Sequence, residues 1–394
     1  MSVALFDLGQ RLRAATLRQP VARSTFAPVL PPSGPVAVTV TGAGDGVLVR
    51  AAHGNRQTAA GGQDPLAALA ELGVSIGAEP RTLVIADREV LSRLEELART
   101  TDPTGPCGQT AAMIGWWTQR ADHPGTGAVL NVTGACCARW VLGVPPAAER
   151  YLDVWRQWLG VRADGPTALF QLAAAVSAGR TLPGLQACAE DDDRSWEVFT
   201  TRLANASLAW DWRRRDSRRE AALGLASRSD AAELYESLRL GDPLLAVRES
   251  FSGRVVSGVI TSIPARMVVE ITLDHLACRL RDSGLVEGFA GYPRDLPPAG
   301  EPGALLRGRV VGTRVTGDER LVVTIGDAVV RPGPARIGQR LTLRPQSVDP
   351  RQQRSGRHEL HRRYAARRSW LSGGSPPVPR RREVPLDVVI AAAE

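Results

Sequence analysis

Lysine is absent: all 49 basic residues of this 394-residue chain are arginine. That excludes chemistries needing an ammonium side chain, among them Walker-type phosphate loops, Schiff-base enzymes and protein kinases. Long apolar runs are missing too. None approaches the roughly 18 residues of a spanning helix, so no membrane association is expected. The five cysteines, Cys107, Cys136, Cys137, Cys188 and Cys278, contain no C-x-x-C, which removes zinc-ribbon and thioredoxin-type sites. The start, Met1-Ser2-Val3-Ala4-Leu5-Phe6-Asp7, lacks a basic stretch followed by an apolar core. No secretory signal is read there, and a cytoplasmic, reducing location is expected. Nothing in the sequence calls for a cofactor.

What is abundant is arginine, with alanine, glycine and proline, as GC-rich coding would produce. Its placement carries more than its number. Ten arginines and one acid, Glu359, fall between Arg351 and Arg382, whereas the remainder holds 39 arginines against 40 acids. The body is therefore near neutral and the basic character belongs to the C-terminal segment, the electrostatic footprint of a polyanion contact. A solvated, charge-bearing tail is the plain alternative.

The chain changes character along its length. Leu5, Leu8 and Leu12 recur at helical spacing, and a Pro-rich linker follows to Pro35. Val36 to Val40 and Val47 to Val49 read as strands around a hairpin turn at Gly42-Ala43-Gly44-Asp45-Gly46, whose glycines do not have dinucleotide-binding spacing. Leu66 to Leu72 reads as a helix, Thr82 to Ala86 as a buried strand, and Asp87 to Arg99 as a helix with the stripe Val90, Leu91, Leu94 and Leu97.

Eight of the nine tryptophans lie between Trp116 and Trp212, and their spacing within helical segments marks them as packing residues. Ser195 to Ala226 reads as one long helix or two. The acidic run Asp191-Asp192-Asp193 is placed before it, where negative charge suits a helix start. Asp230 with Glu233 is read as a capping pair for a helix through Tyr235. Arg213 to Arg219 forms a second basic cluster, diluted by Asp211, Asp216 and Glu220.

From residue 244 the period becomes two and the chain repeats itself. Gly253-Arg254-Val255-Val256-Ser257-Gly258-Val259 precedes Met267-Val268-Val269-Glu270-Ile271. About 55 residues on, Gly308-Arg309-Val310-Val311-Gly312-Thr313-Arg314-Val315 precedes Leu321-Val322-Val323-Thr324-Ile325. Two copies of one β unit, or one barrel with echoing strands, are implied. Ala277 to Leu280 reads as a third strand and Gly284 to Gly288 as a turn.

Gly253, Val255, Gly258 and Val259, with the later Val286-Glu287-Gly288, resemble the opening and closing elements of S1 and wider OB-fold nucleic-acid-binding modules. The resemblance covers about residues 246–345. It implies a single strand lying across a barrel face, with aromatics on bases and arginines on phosphates. The first copy offers Phe251, His275, Phe289 and Tyr292, whereas the second, from Gly303 to Pro345, has no Phe, Tyr or Trp and depends on charge. In the tail, Arg362, Arg363, Tyr364, Arg367, Arg368 and Trp370 interleave guanidinium groups with aromatics over a helix read from Ser355 to Leu371. Val384 to Ile390 is an apolar stretch suited to docking back on the body or on a protein partner.

Catalytic patterns are sparse. His358-Glu359-Leu360-His361 is one residue short of a metalloprotease helix and sits in a cationic segment. Gly105-Pro106-Cys107-Gly108-Gln109-Thr110 is similar to the cysteine-bearing helix start of papain-like peptidases, with His53, His123 and His275 as the available bases.

The expected architecture is a multidomain α+β chain. It has a small α/β unit with a Pro-rich linker (1–100), a Trp-rich helical domain (101–242), a first OB/S1-like β unit (243–300), a second β unit (301–345) and an Arg-rich tail (346–394). The expected function is non-catalytic binding of single-stranded RNA or DNA. Its expected contacts are Phe251, Arg254, His275, Arg309, Arg314, Arg362, Arg363, Tyr364, Arg367, Arg368 and Trp370. A protein assembly scaffold and a Cys107-dependent hydrolase are the alternatives.

Overall fold

Alternating valines and alanines lay down the first sheet. The computed structural model describes residues 2–42, 44–79, 81–205, 210–265, 267–297, 303–331 and 335–365. Its contacts divide the chain into two units, Met1–Arg214 with Arg228–Pro350, and Arg215–Ser227 with Arg351–Glu394.

The first unit opens with helix α1 (Val3–Leu17) and the two-residue β1 (Val21–Ala22). Strands β2 (Val36–Thr41), β3 (Leu48–His53) and β4 (Arg56–Gly61) form an antiparallel meander. Helix α2 (Ala67–Glu71) leads to β5 (Leu83–Ile85), parallel to β2. Helices α3 (Arg88–Thr100) and α4 (Gly108–Arg120) lead to β6 (Val129–Asn131), parallel to β5. The five-stranded order is β4-β3-β2-β5-β6. Asp87 caps α3 as its sequence suggests, accepting from the Glu89 and Val90 amides at 2.9 and 3.3 Å.

Both faces of this sheet must be covered because its central strands β2 and β5 are apolar on both sides. Val36, Val38, Leu83 and Ile85 face α2, α3 and α4, with Trp116 and Trp117 in the same core. Ala37, Val84 and Leu130 face helices α5 (Val132–Arg139) and α7 (Gly165–Ser177), with Trp155 of α6 (Leu152–Trp158) beneath them. The short β7 (Trp140–Val141) pairs with β1. A boundary near residue 100 therefore does not separate two cores. Helices α4 to α7 of the Trp-rich segment belong to the layers covering the sheet formed by residues 36–131, and Trp116, Trp117 and Trp155 are buried in those layers.

Helix α8 (Gln186–Ala204) begins before the acidic run, not after it. Asp192 lies inside the helix and is buried, where it accepts from Arg120 Nε at 2.6 Å, Thr126 Oγ1 at 2.8 Å and the Gly127 amide at 2.8 Å. A buried ion pair, not the helix dipole, fixes that acid. Asp230 and Glu233 lie in the interior of helix α9 (Arg218–Arg239), not at a helix start. Helix α10 (Pro243–Ser250) is capped by Asp242.

The β region is a single closed barrel in the order β10-β11-β12-β9-β8-β13. Its strands are β8 (Val256–Ala265), β9 (Val268–Leu273), β10 (Leu285–Ala290), β11 (Leu306–Val315), β12 (Leu321–Val330) and β13 (Arg340–Pro345). Every neighbouring pair is antiparallel. The expected units 243–300 and 301–345 are thus halves of one barrel: three strands alone leave two open edges, and each half closes the other. A small closed antiparallel barrel is compatible with an OB-like fold, although that fold has five strands. Ala277 to Leu280 is a loop, tied by the Arg279 amide to the Gly253 carbonyl at 2.7 Å, and the third strand is β10, across the segment read as a turn.

The sequence repeat is a pseudo-twofold axis. Exchanging β8 with β11, β9 with β12 and β10 with β13 interchanges four of the six strand pairings in two couples and leaves β9–β12 and β10–β13 unchanged. The bulge between Ile260 and Ser262 recurs between Val310 and Gly312. Val256, Ile260, Val269 and Ile271 match Leu306, Val310, Val323 and Ile325 in the shared interior. A β-carbon on Gly258 would stand 2.3 Å from the Thr272 oxygen and 2.9 Å from Ile271 Cγ2; on Gly308 it would stand 2.8 Å from the Gly326 oxygen and 2.5 Å from Ile325 Cγ2. The true mate of Gly308 is therefore Gly258, not Gly253. Gly258→Ala and Gly308→Ala should each lower stability by about 1–3 kcal/mol. Gly312→Ala, with nothing within 4 Å, should change it little. Urea denaturation midpoints of the three variants check this.

In the second unit, helix α11 (Pro350–Ala365) is the main element; it begins five residues before the expected Ser355 start. Residues 366–394, including Arg367, Arg368, Trp370 and the Val384 to Ile390 stretch, lie outside the described residues. No helix among the described residues is long and apolar enough to cross a membrane.

Candidate nucleic-acid interface

Two arginine clusters far apart in sequence belong to one compact unit. Residues 215–227 bring Arg215, Arg218 and Arg219, and α11 brings Arg351, Arg354, Arg357, Arg362 and Arg363. Against these eight arginines stand Asp216, Glu220 and Glu359. Charge remains after pairing, because Arg362 and Arg363 share the single carboxylate of Glu359 at 2.5 and 3.1 Å. Arg357 donates to Ser227 Oγ at 3.4 Å, joining the two segments. Arg351, Arg354, His358 and His361 follow three- and four-residue spacing and occupy one helix face. Tyr364 lies on the last turn and is half-buried.

The barrel residues are distributed differently from a binding strip. Phe251 is packed on Phe6, with ring centroids 5.4 Å apart. Arg254 is held by Glu236 at 3.1 Å and Glu249 at 3.8 Å. Arg314 pairs with Glu270 at 3.2 Å, and Arg309 donates to the Ser283 carbonyl at 2.5 Å. A phosphate would have to replace these partners. Phe289 is buried in a satellite core with Leu240, Ala246 and Leu296, and Arg344 covers its ring at 4.5 Å. His275 is exposed in the loop after β9.

That loop, residues 274–279, nevertheless gathers several candidates. On one side an open cavity of about 810 Å³ is lined by Phe251, Arg254 and Arg279. On the other a cavity of about 370 Å³ is lined by His275, Asp274, Tyr292 and Arg340. Arg340 Nη1 is fixed by Asp274 at 2.5 Å, and its guanidinium lies 4.8 Å from the Tyr292 ring centroid. Sequence reasoning counts Arg340 among the arginines that could supply charge to the second β copy, but misses Asp274 and its pairing with Arg340. They lie far apart in the chain, at the end of β9 and the start of β13, so no spacing links them. Arg309 and Arg314 lie on β11 and line neither cavity.

Cys107 precedes α4, yet its surroundings oppose nucleophilic chemistry. The thiol is 3% exposed and donates to Asp64 Oδ2 at 3.3 Å. Burial, with that neighbouring carboxylate, pushes it up to about 11, so it stays protonated near neutrality. Its polar neighbour is an acid where a hydrolase needs an imidazole.

His123 is buried in its own environment. Burial first, then the Arg120 guanidinium, pushes its imidazole down to about 4; Arg228 acts in the same direction and Asp191 opposes it. An unfolded chain would take up that proton near pH 6.5. Stability contributed by neutral His123 is therefore complete above about pH 6.5 and is lost as pH falls towards 4. The expected loss between pH 7 and 4.5 is about 2–3 kcal/mol. His123→Gln should remove that part of the slope in urea midpoints measured across this window; an unchanged slope would refute it.

Comparison with protein-family models, with curated proteins and with solved structures finds no match for this chain.

Proposed function

We propose that the chain binds single-stranded nucleic acid, with the arginine-rich unit supplying the phosphate contacts. The observation that carries this reading is the gathering of residues 215–219 and 351–363 into one compact unit with eight arginines against three acids. Arginine suits the role because its planar fork meets phosphate oxygens in pairs and stacks on bases. Each phosphate neutralised on a single strand adds about −0.7 to the slope of log affinity against log salt. The S1/OB-like resemblance supports the same reading more weakly, since Arg254, Arg309 and Arg314 are engaged within the chain. The five cysteines are free thiols, which suits a reducing, cytoplasmic setting.

Fluorescence anisotropy with RNA, single-stranded DNA and duplex DNA of equal length tests the proposal. Binding that favours single strands and weakens steeply from 50 to 200 mM salt is expected. Absence of binding at 50 mM salt would overturn it and leave protein assembly as the remaining function.

A further inference from the structure

We propose that the smaller barrel-end cavity is a pocket for one unpaired nucleobase, stacked against Tyr292 and edged by the Asp274–Arg340 pair. Its ligand class rests on the nucleic-acid reading above, but its geometry is independent of the arginine-rich unit. The cavity lies at one mouth of the barrel, at the starts of β8 and β13 and the ends of β9 and β10, not across a strand face.

Three features define the occupant. The volume of about 370 Å³ suits a single small planar group and is too small for a paired duplex. The walls combine Val255, Val256 and Leu273 with the ring of Tyr292, which is 47% exposed; the guanidinium groups of Arg340 and Arg294 lie 4.8 and 5.6 Å from its centroid, so an entering base stacks by displacing the exposed Arg294. Flat apolar surface beside an accessible aromatic is what a base face needs. The polar edge is pre-set: Asp274 Oδ2 holds Arg340 Nη1, the Asp274 amide donates to the Ser257 carbonyl at 2.8 Å, and behind the cavity wall the buried Thr342 hydroxyl fixes that of Ser257 at 2.8 Å. Because Asp274 already balances Arg340, the pocket offers no surplus positive charge for a bare anion. It presents fixed donors and acceptors, which match the edge of a neutral base. Exposed His275 stands at the same rim, outside any ion pair among the described residues, where a sugar or phosphate attached to that base would pass.

The pseudo-twofold axis argues that these groups are not demanded by folding. Leu285 stands at the position equivalent to Arg340, and Arg307 at the position equivalent to Ser257. Among the described residues the equivalent positions do not repeat the constellation, so one half of a duplicated barrel carries a feature its twin lacks.

The test uses the full chain with a single-stranded oligonucleotide carrying 2-aminopurine, whose emission falls when the base stacks. Wild type should quench the probe. Tyr292→Ala should abolish quenching and weaken binding about tenfold, whereas Tyr292→Phe should retain both, since the ring is kept. Arg362→Glu with Arg363→Glu should weaken binding and flatten its salt dependence, yet leave full quenching once the probe is saturated. Unchanged quenching in Tyr292→Ala, in protein whose thermal unfolding matches wild type, would overturn the pocket while leaving the nucleic-acid reading intact. If no oligonucleotide binds, free 2-aminopurine riboside monophosphate decides. Tyr292-dependent quenching of that probe would keep the pocket without the wider function, and its absence would remove the pocket as well.

Discussion

Asp242→Ala should be among the most destabilising single substitutions in this chain, costing about 4 kcal/mol or preventing folding. Asp242 is fully buried, with 0% exposure. One oxygen accepts from the Leu244 and Leu245 amides at 2.9 and 3.3 Å, which caps α10. The other accepts from Ser24 Oγ and the Thr25 and Phe26 amides at 2.7, 2.7 and 3.0 Å. Removing the carboxylate leaves buried donors without acceptors, and each costs its desolvation penalty. The loss is a large share of a typical 5–15 kcal/mol. Asp242→Asn is the informative companion. Its amide nitrogen would have to face donors on one side, so it should recover only part of the loss. Guanidinium or thermal unfolding of both variants gives the answer, and a shift within experimental scatter of wild type would refute the argument.

The same region explains how the N-terminal segment is bound into the first unit. Arg11 of α1 forks onto Glu149 at 2.6 and 3.1 Å, and Arg248 of α10 forks onto Asp7 at 2.9 Å for each bond. Leu5, Leu8 and Leu12, whose spacing suggests an inward apolar face, point outward and are each more than half exposed. Charged forks, not leucines, hold α1. Spacing reveals a helix, but a helix held by ion pairs inverts the usual assignment of faces.

Elements whose stability is local were legible in the sequence. The strand at Leu83–Ile85 and the helix capped by Asp87 follow from apolar periodicity and a cap. The register of Met267 to Ile271 with Leu321 to Ile325 was legible because buried alternation fixes it. The register of the preceding strands was not. It is set by the bulges and by the backbone approach at Gly258 and Gly308, which depend on partners across the barrel. Strand β4 carries Arg56, Gln57 and Thr58 at a sheet edge, so it lacks the apolar signal of a strand. The barrel-end pocket was illegible for a related reason. Ser257, Asp274, Tyr292 and Arg340 come from separate elements, and only barrel closure brings them to one cavity.

Replacing Arg351, Arg354, Arg357, Arg362 and Arg363 together by alanine should weaken single-strand binding about 10³-fold at 0.1 M salt if all five meet phosphates, and make the log–log salt slope shallower by about 3.5. Loss of the largely exposed pairs with Glu359 costs little, but Arg357 also ties α11 to Ser227, so helix content and thermal unfolding of the variant are measured beside its binding. An unchanged slope would show that these side chains do not release counterions and would overturn the assignment of α11. Replacing the same five by lysine separates charge from chemistry. Lysine keeps the cation but has neither the fork nor the planar stacking surface. If arginine is present only because of coding bias, the lysine variant should match wild type in both affinity and slope. If the guanidinium group matters, the slope should persist while affinity drops about tenfold or more, as bidentate contacts become point contacts. The second outcome is expected, since the planar guanidinium fork both pairs with phosphate and stacks on bases, which an ammonium cannot do.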